Sequence, residues 1–145
     1  MVVRKMYVII LILFILVLLA GCSIFKDRIM DGDGMVNSFY HISQEEAKIM
    51  MEADDGHVIV DVRRQDEYDE GHIPGAICIP NESIVDIQPS ELPDLNQVIL
   101  VYCRSGRRSK EAAQKLFDMG YTRVYEFGGI IDWTGEVVKE SENPT

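Results

Sequence analysis

Two short apolar runs, Val58 to Val62 (VIVDV) and Val98 to Tyr102 (VILVY), constrain this chain most. β-branched apolar runs of this kind are strands buried in a parallel sheet. The segments around them read differently. Ser43 stands three residues before Glu46, a capping-box spacing that opens a helix from Gln44 to about Glu52. Gln65 to Glu70 is polar and suits a short surface helix or turn. Arg107 to Met119 places Ala112, Ala113, Leu116, Phe117 and Met119 on one apolar side, and Gly120 follows as a natural C-cap. Shorter strands are expected at Tyr40 to Ile42, Ile77 to Ile79 and Val124 to Phe127. Asn81 to Leu95 reads as a loop with one helical turn near Ile84, Gly128-Gly129 as a turn, and Ile130 to Val138 as a helix. Strands alternating with helices define an α/β domain with a mainly parallel sheet.

The chain has 145 residues, enough for one domain of ordinary size. Its first 21 residues are of another kind. Arg4 and Lys5 are the only charges there, and Met6 to Ala20 is an unbroken apolar run of 15 residues. A membrane-spanning helix needs about 20 apolar residues, so this run is short. A basic start, a short apolar core and small residues describe a secretory signal. The sequence Leu19-Ala20-Gly21-Cys22 resembles the lipobox of bacterial lipoproteins. That resemblance implies cleavage before Cys22 and lipidation of Cys22 with acyl chains such as palmitate. An uncleaved anchor is the alternative. In either case Arg4 and Lys5 stay on the cytoplasmic side and the domain lies at the outer face of the membrane.

Residues 1–21 are therefore expected to be a signal peptide, and 22–38 a lipidated cysteine and flexible tether. Residues 39–140 form the domain and 141–145 a tail. Asp31-Gly32-Asp33-Gly34 in the tether lacks the later oxygen ligands and closing Glu of a calcium loop. Without Arg4 and Lys5 the remaining chain sets 12 basic against 24 acidic residues, a net charge of −12. An acidic surface argues against nucleic acid and anionic lipid headgroups as partners. Attachment would come from the acyl chains, at about 0.8 kcal/mol per buried methylene. Nothing in the sequence demands more than a monomer.

The chemistry concentrates in Cys103-Arg104-Ser105-Gly106-Arg107-Arg108-Ser109, between a buried strand and a helix. Ligands of open α/β sheets bind at the carboxyl ends of the strands. A loop turning into a helix directs its backbone N–H groups inward, where they bind anions. Gly106 permits a tight turn or a close approach to a ligand. Arg104, Arg107 and Arg108 add positive potential to an acidic protein. A free thiol ionises near pH ~8.5, and cationic neighbours or a helix N-terminus lower that value, so the loop is expected to favour a thiolate at Cys103. An inert thiol beside solvated arginines is the bland alternative. No Cys-x-x-Cys or Cys/His ligand spacing occurs, which argues against a zinc site.

These residues resemble the rhodanese family. Asp61-Val62-Arg63, Glu67-Tyr68 and Gly71-His72-Ile73-Pro74-Gly75-Ala76 are similar to its first motif. Cys103 to Ser109 is similar to its active-site loop, and Gly128-Gly129-Ile130-Ile131-Asp132-Trp133 to its closing motif. The resemblance covers about residues 39 to 138. It implies a five-stranded parallel sheet with helices on both faces. It also implies a sulfurtransferase in which Cys103 takes sulfane sulfur as a persulfide from a donor such as thiosulfate. The sulfur then passes to cyanide or a thiol, with no metal or organic cofactor. Cys103 is the expected nucleophile. Arg104 and Arg108, then Arg107, are the expected substrate contacts, with the loop N–H groups of Ser105, Gly106 and onward to Ser109 as stabilisers.

Other residues are expected to serve the structure first. Asp61 and Arg63 follow a buried strand and either support the loop or pair with each other. His72 reads as a hydrogen-bonded turn residue, Trp133 as a packing anchor and Cys78 as a core thiol. Three rival functions stay open. A phosphatase or arsenate reductase of this fold would carry arginine at the sixth position after its cysteine, where this chain has Ser109. A tethered binding module needs no cysteine chemistry. Redox exchange between Cys78 and Cys103 would need their Cα atoms within about 7 Å.

Overall fold

The structure, a computed structural model, describes residues 38–139. The expected signal peptide, Cys22, nearly all of the tether and the C-terminal tail lie outside the described residues. The elements run in the order β1 (Tyr40–His41), α1 (Gln44–Met51), β2 (Val58–Asp61), α2 (Gln65–Glu70), β3 (Ala76–Cys78), β4 (Ile99–Cys103), α3 (Arg107–Asp118) and β5 (Val124–Gly129). Short 3₁₀ turns cover Asn81–Ser83 and Ile130–Asp132. The five strands form one sheet in the order β1-β5-β4-β2-β3, and every adjacent pair is parallel.

The two apolar runs became the adjacent central strands β2 and β4, paired from Val58↔Ile99 to Asp61↔Tyr102. Side chains of a strand alternate between faces. Val60, Ile99, Val101 and Cys103 join Ala112, Ala113 and Leu116 of α3 in one core layer. Ile59, Leu100, Tyr102 and Phe127 join Ala47 of α1 and Tyr68 of α2 in the other. The alternation places Cys103 on the α3 face of the sheet. Ser43 caps α1 as its spacing predicts: its hydroxyl accepts from Glu46 N at 3.2 Å, and Glu46 Oε2 accepts from Ser43 N at 2.8 Å.

One element departs from the sequence reading. The helix expected over Ile130 to Val138 stops after the single 3₁₀ turn Ile130–Asp132. Gly135 lies where an added Cβ would meet the Trp133 indole at 2.7 Å, and Trp133 Nε1 donates to Glu136 O at 3.1 Å. The chain folds around the tryptophan instead of winding past it. Val138 then pairs antiparallel with His72, with both backbone bonds at 2.9 Å. Gly128-Gly129, expected as a turn, forms the last residues of β5.

The register also bears on the proposed thiol pair. Cys78 is opposite Asp61, and Asp61 is opposite Tyr102, the residue before Cys103. One whole strand separates the two cysteines. At about 4.8 Å per strand, that places them about 10 Å apart, beyond disulfide reach. Both are free thiols in this structure.

Candidate active site

β4 ends at Cys103 at the carboxyl edge of the sheet, and α3 begins four residues later. The intervening turn depends on Gly106, whose φ of 97° lies in the left-handed region that favours glycine. In this conformation Gly106 N–H points back along the loop and donates to Cys103 Sγ at 3.1 Å. Cys103 is 1% exposed, yet it lines a cleft of about 560 Å3 with Arg104, Ser105, Arg107 and Arg108. Residues of α2 and the first 3₁₀ turn, among them Glu67, Glu70 and Glu82, form the facing rim.

The arginines are not equivalent. Arg108 grips Glu67 of α2 with both terminal guanidinium nitrogens, at 2.7 and 2.8 Å. Arg107 reaches Glu111 at 2.6 Å, one turn along its own helix. Arg64, also on the cleft, binds Asp66 at 2.7 Å. Among the described arginines of the cleft, Arg104 has no carboxylate partner. Arg108 was expected to contact substrate directly; its guanidinium lines the cleft but is already engaged.

Ser109 was expected to offer its backbone N–H to the loop; its side chain is fully buried and its hydroxyl turns inward. The hydroxyl lies 2.6 Å from Glu126 Oε1 and 3.0 Å from Gly106 O. The sixth position after the cysteine therefore supports the loop from below. Asp61 and Arg63 likewise serve each other: Arg63 Nη2 donates to Asp61 Oδ2 at 2.6 Å and to Gly71 O at 2.7 Å. Both are buried, and neither lines the cleft. His72 is buried, with Nδ1 3.0 Å from Tyr68 O and its ring stacked on Tyr68 at 3.7 Å. Trp133 packs on Phe127, and Lys48 Nζ sits 5.2 Å over its ring. Burial pushes the Cys78 thiol up to about 11, which keeps it neutral and weakly nucleophilic at neutral pH.

The sequence reading passed over two residues of the site region. Glu67 was read as part of a motif, without its Arg108 partner. Glu126 was read as part of a strand, although a lone acid inside VYEF was a signal that something buried needed an acceptor.

The Glu67–Arg108 pair has a pH consequence. The Arg108 hydrogen bonds hold the Glu67 carboxyl at about 2, against 4.5 for a free glutamate. A carboxyl with a depressed folded pKa stabilises the fold fully above its unfolded value. That contribution is lost as pH falls through the folded value. A partly shielded pair contributes about 1 kcal/mol. Glu67→Gln is therefore expected to lower the urea midpoint at neutral pH. The difference from wild type should shrink as pH falls from 4.5 toward 2, which urea titrations at stepped pH would follow.

An open, wholly parallel α/β sheet with a cysteine cradled at its carboxyl edge defines a class of cysteine-loop α/β domains. Within that class, the chain belongs to the Rhodanese-like domain family, which it matches over residues 43–136. Thiosulfate sulfurtransferase PspE of Escherichia coli (strain K12) is 40% identical over 73 residues, 50% of this chain and 70% of that one. Thiosulfate sulfurtransferase GlpE of Pseudomonas fluorescens (strain SBW25) is 35% identical over 94 residues, 65% of this chain and 83% of that one. Among solved structures, a rhodanese with anions from E. coli superposes with a TM-score of 0.53 at 36% identity. That superposition covers 58% of this chain and 99% of the other.

Proposed function

We propose that this protein is a sulfurtransferase that carries sulfane sulfur on Cys103. We place it at the outer face of a membrane, held there by acyl chains on Cys22. The observation that carries the catalytic reading is the Gly106 N–H donated to Cys103 Sγ at the floor of the cleft, one residue before α3. Oriented backbone donors at a helix N-terminus stabilise negative charge on the sulfur before and after transfer.

The reaction has two steps. The Cys103 thiolate attacks the outer sulfur of thiosulfate. A new S–S bond forms to Cys103, the old S–S bond breaks, and its electron pair leaves with sulfite. The persulfide anion on Cys103 is then attacked at its outer sulfur by cyanide or a thiolate. The Cys103–S bond breaks, the thiolate is restored, and thiocyanate or an acceptor persulfide departs. Total charge is conserved in each step, and neither step needs an external oxidant or reductant.

Arg104 is the side chain best placed to meet the anionic donor, because the other cleft arginines already hold carboxylates. A charge-assisted hydrogen bond contributes about 1.5–3 kcal/mol. Arg104→Ala is therefore expected to raise KM for thiosulfate about tenfold or more while changing kcat less. A fall in kcat at constant KM, measured by thiocyanate release, would remove Arg104 from donor binding.

The test of the whole reading is an intact mass of the full chain, taken after thiosulfate and again after cyanide. A gain of one sulfur on Cys103 that cyanide removes is expected. No gain from thiosulfate or polysulfide, with Cys103 shown to be reduced, would overturn the carrier role.

A further inference from the structure

Glu126 lies in the middle of β5 and is fully buried. A buried carboxyl group is costly unless its oxygens are satisfied. This one has partners on three segments. Ser109 Oγ of α3 lies 2.6 Å from Oε1, Gly128 N donates to Oε1 at 2.9 Å, and His41 Nδ1 of β1 lies 2.6 Å from Oε2.

Two of these partners lead to the cysteine loop. Ser109 Oγ also lies 3.0 Å from Gly106 O, and Gly106 N–H is the donor to Cys103 Sγ. Gly128 precedes Gly129, which pairs with Cys103 across β5 and β4 and lies so close to Arg104 and Ser105 that no Cβ would fit between them. One carboxyl group thus ties the start of α3 to the end of β5, with the turn at Gly106 between them.

We infer that Glu126 is a positioning residue for Cys103: it holds the loop in the pose that aims Gly106 N–H at the sulfur. The inference rests on the reading of Cys103 as the sulfur carrier. Glu126 touches neither the sulfur nor the cleft and acts through Ser109 and Gly128. Charge and position predict opposite effects. Removing a negative charge near an anionic donor would by itself speed transfer, whereas releasing the loop slows it. Glutamine separates the two. It loses the charge but keeps an oxygen toward Ser109 Oγ and Gly128 N, and its amide can face His41 Nδ1, which accepts in its other tautomer.

The experiment uses the full chain as wild type, Glu126→Ala, Glu126→Gln and Glu126→Met. One readout is the single-turnover rate of persulfide formation across thiosulfate concentrations. The other is hydrogen exchange of the Gly106 amide by NMR, against the Leu100 and Val101 amides as gauges of global opening. Glu126→Ala should lower the maximal rate about tenfold with little change in the half-saturating thiosulfate concentration. It should speed exchange at Gly106 about tenfold beyond any change at Leu100 and Val101. Glutamine should recover most of both. An alanine variant with an unchanged maximal rate and unchanged Gly106 exchange would overturn the inference. So would exchange that rises equally at all three amides. If Glu126→Ala does not fold, Glu126→Met decides, because it fills the same space without the carboxyl oxygens and leaves Ser109 its contact with Gly106 O. A selective rise at Gly106 supports the inference and no rise overturns it. A wild-type chain that takes up no sulfur would sink the carrier reading, while Gly106 exchange would still decide the role of Glu126.

Discussion

Replacing Cys103 by serine is expected to lower the rate of sulfur transfer from thiosulfate to cyanide by at least about a thousandfold while leaving the fold intact. The two side chains differ by one atom. A serine hydroxyl still accepts the Gly106 N–H that meets Cys103 Sγ at 3.1 Å, so the loop keeps its anchor. The loss is chemical. A hydroxyl ionises far less readily than a thiol, and sulfur is the better nucleophile toward sulfur. Cys78 is no substitute: burial pushes its thiol up to about 11, and it stands two strands away on β3. Thiocyanate release and a urea melt on the same preparation would check both halves of the prediction. A serine variant that still turns over would transfer the chemistry to another residue. One that also unfolds would mean that the thiol is chiefly a packing group.

The sequence revealed much of this arrangement because its strongest signals are local. VIVDV and VILVY are buried on both faces, so their composition alone marks central strands. Ser43 and Glu46 satisfy each other's backbone within one turn, and their spacing suffices to start α1. Gly106 announces the left-handed turn before α3, because a side chain would be strained there. What escaped the sequence depends on contacts between distant segments. Glu67 and Arg108 are 41 residues apart, and only the packing of α2 beside α3 shows that Arg108 is occupied. Ser109 was expected to offer a backbone N–H, and only the sheet shows that its hydroxyl meets Glu126. The helix expected after Ile130 failed for the same reason. Val138 forms a bridge with His72, and that tertiary pairing outweighs a local preference for helix.

Gly129→Ala should be the most damaging single-methyl change in the domain. Gly129 pairs with Cys103 across β5 and β4, just after a break in register at Val101. A Cβ on Gly129 would overlap the Arg104 carbonyl oxygen and come within 2.5 Å of Ser105 Cα. Both obstacles are backbone, so no side chain can swing aside. Gly129 itself is fixed, because Gln44 Nε2 donates to its carbonyl at 2.8 Å. Ile131 N also donates to Arg104 O at 3.2 Å. The cysteine loop must therefore move outward, and Gly106 N–H leaves the sulfur. Overpacking of this kind costs about 3 kcal/mol, and a displacement of about 1 Å at a reacting group costs about a hundredfold in rate. Gly128 is the control. A Cβ there meets nothing within 4 Å, although its φ of 93° makes alanine strained. Gly128→Ala should therefore lose about 1–2 kcal/mol and much less activity. Urea midpoints and single-turnover persulfide rates of the two variants would separate the effects. If Gly129→Ala transferred sulfur as fast as Gly128→Ala, the contact between β5 and the loop would not be what keeps Cys103 in place.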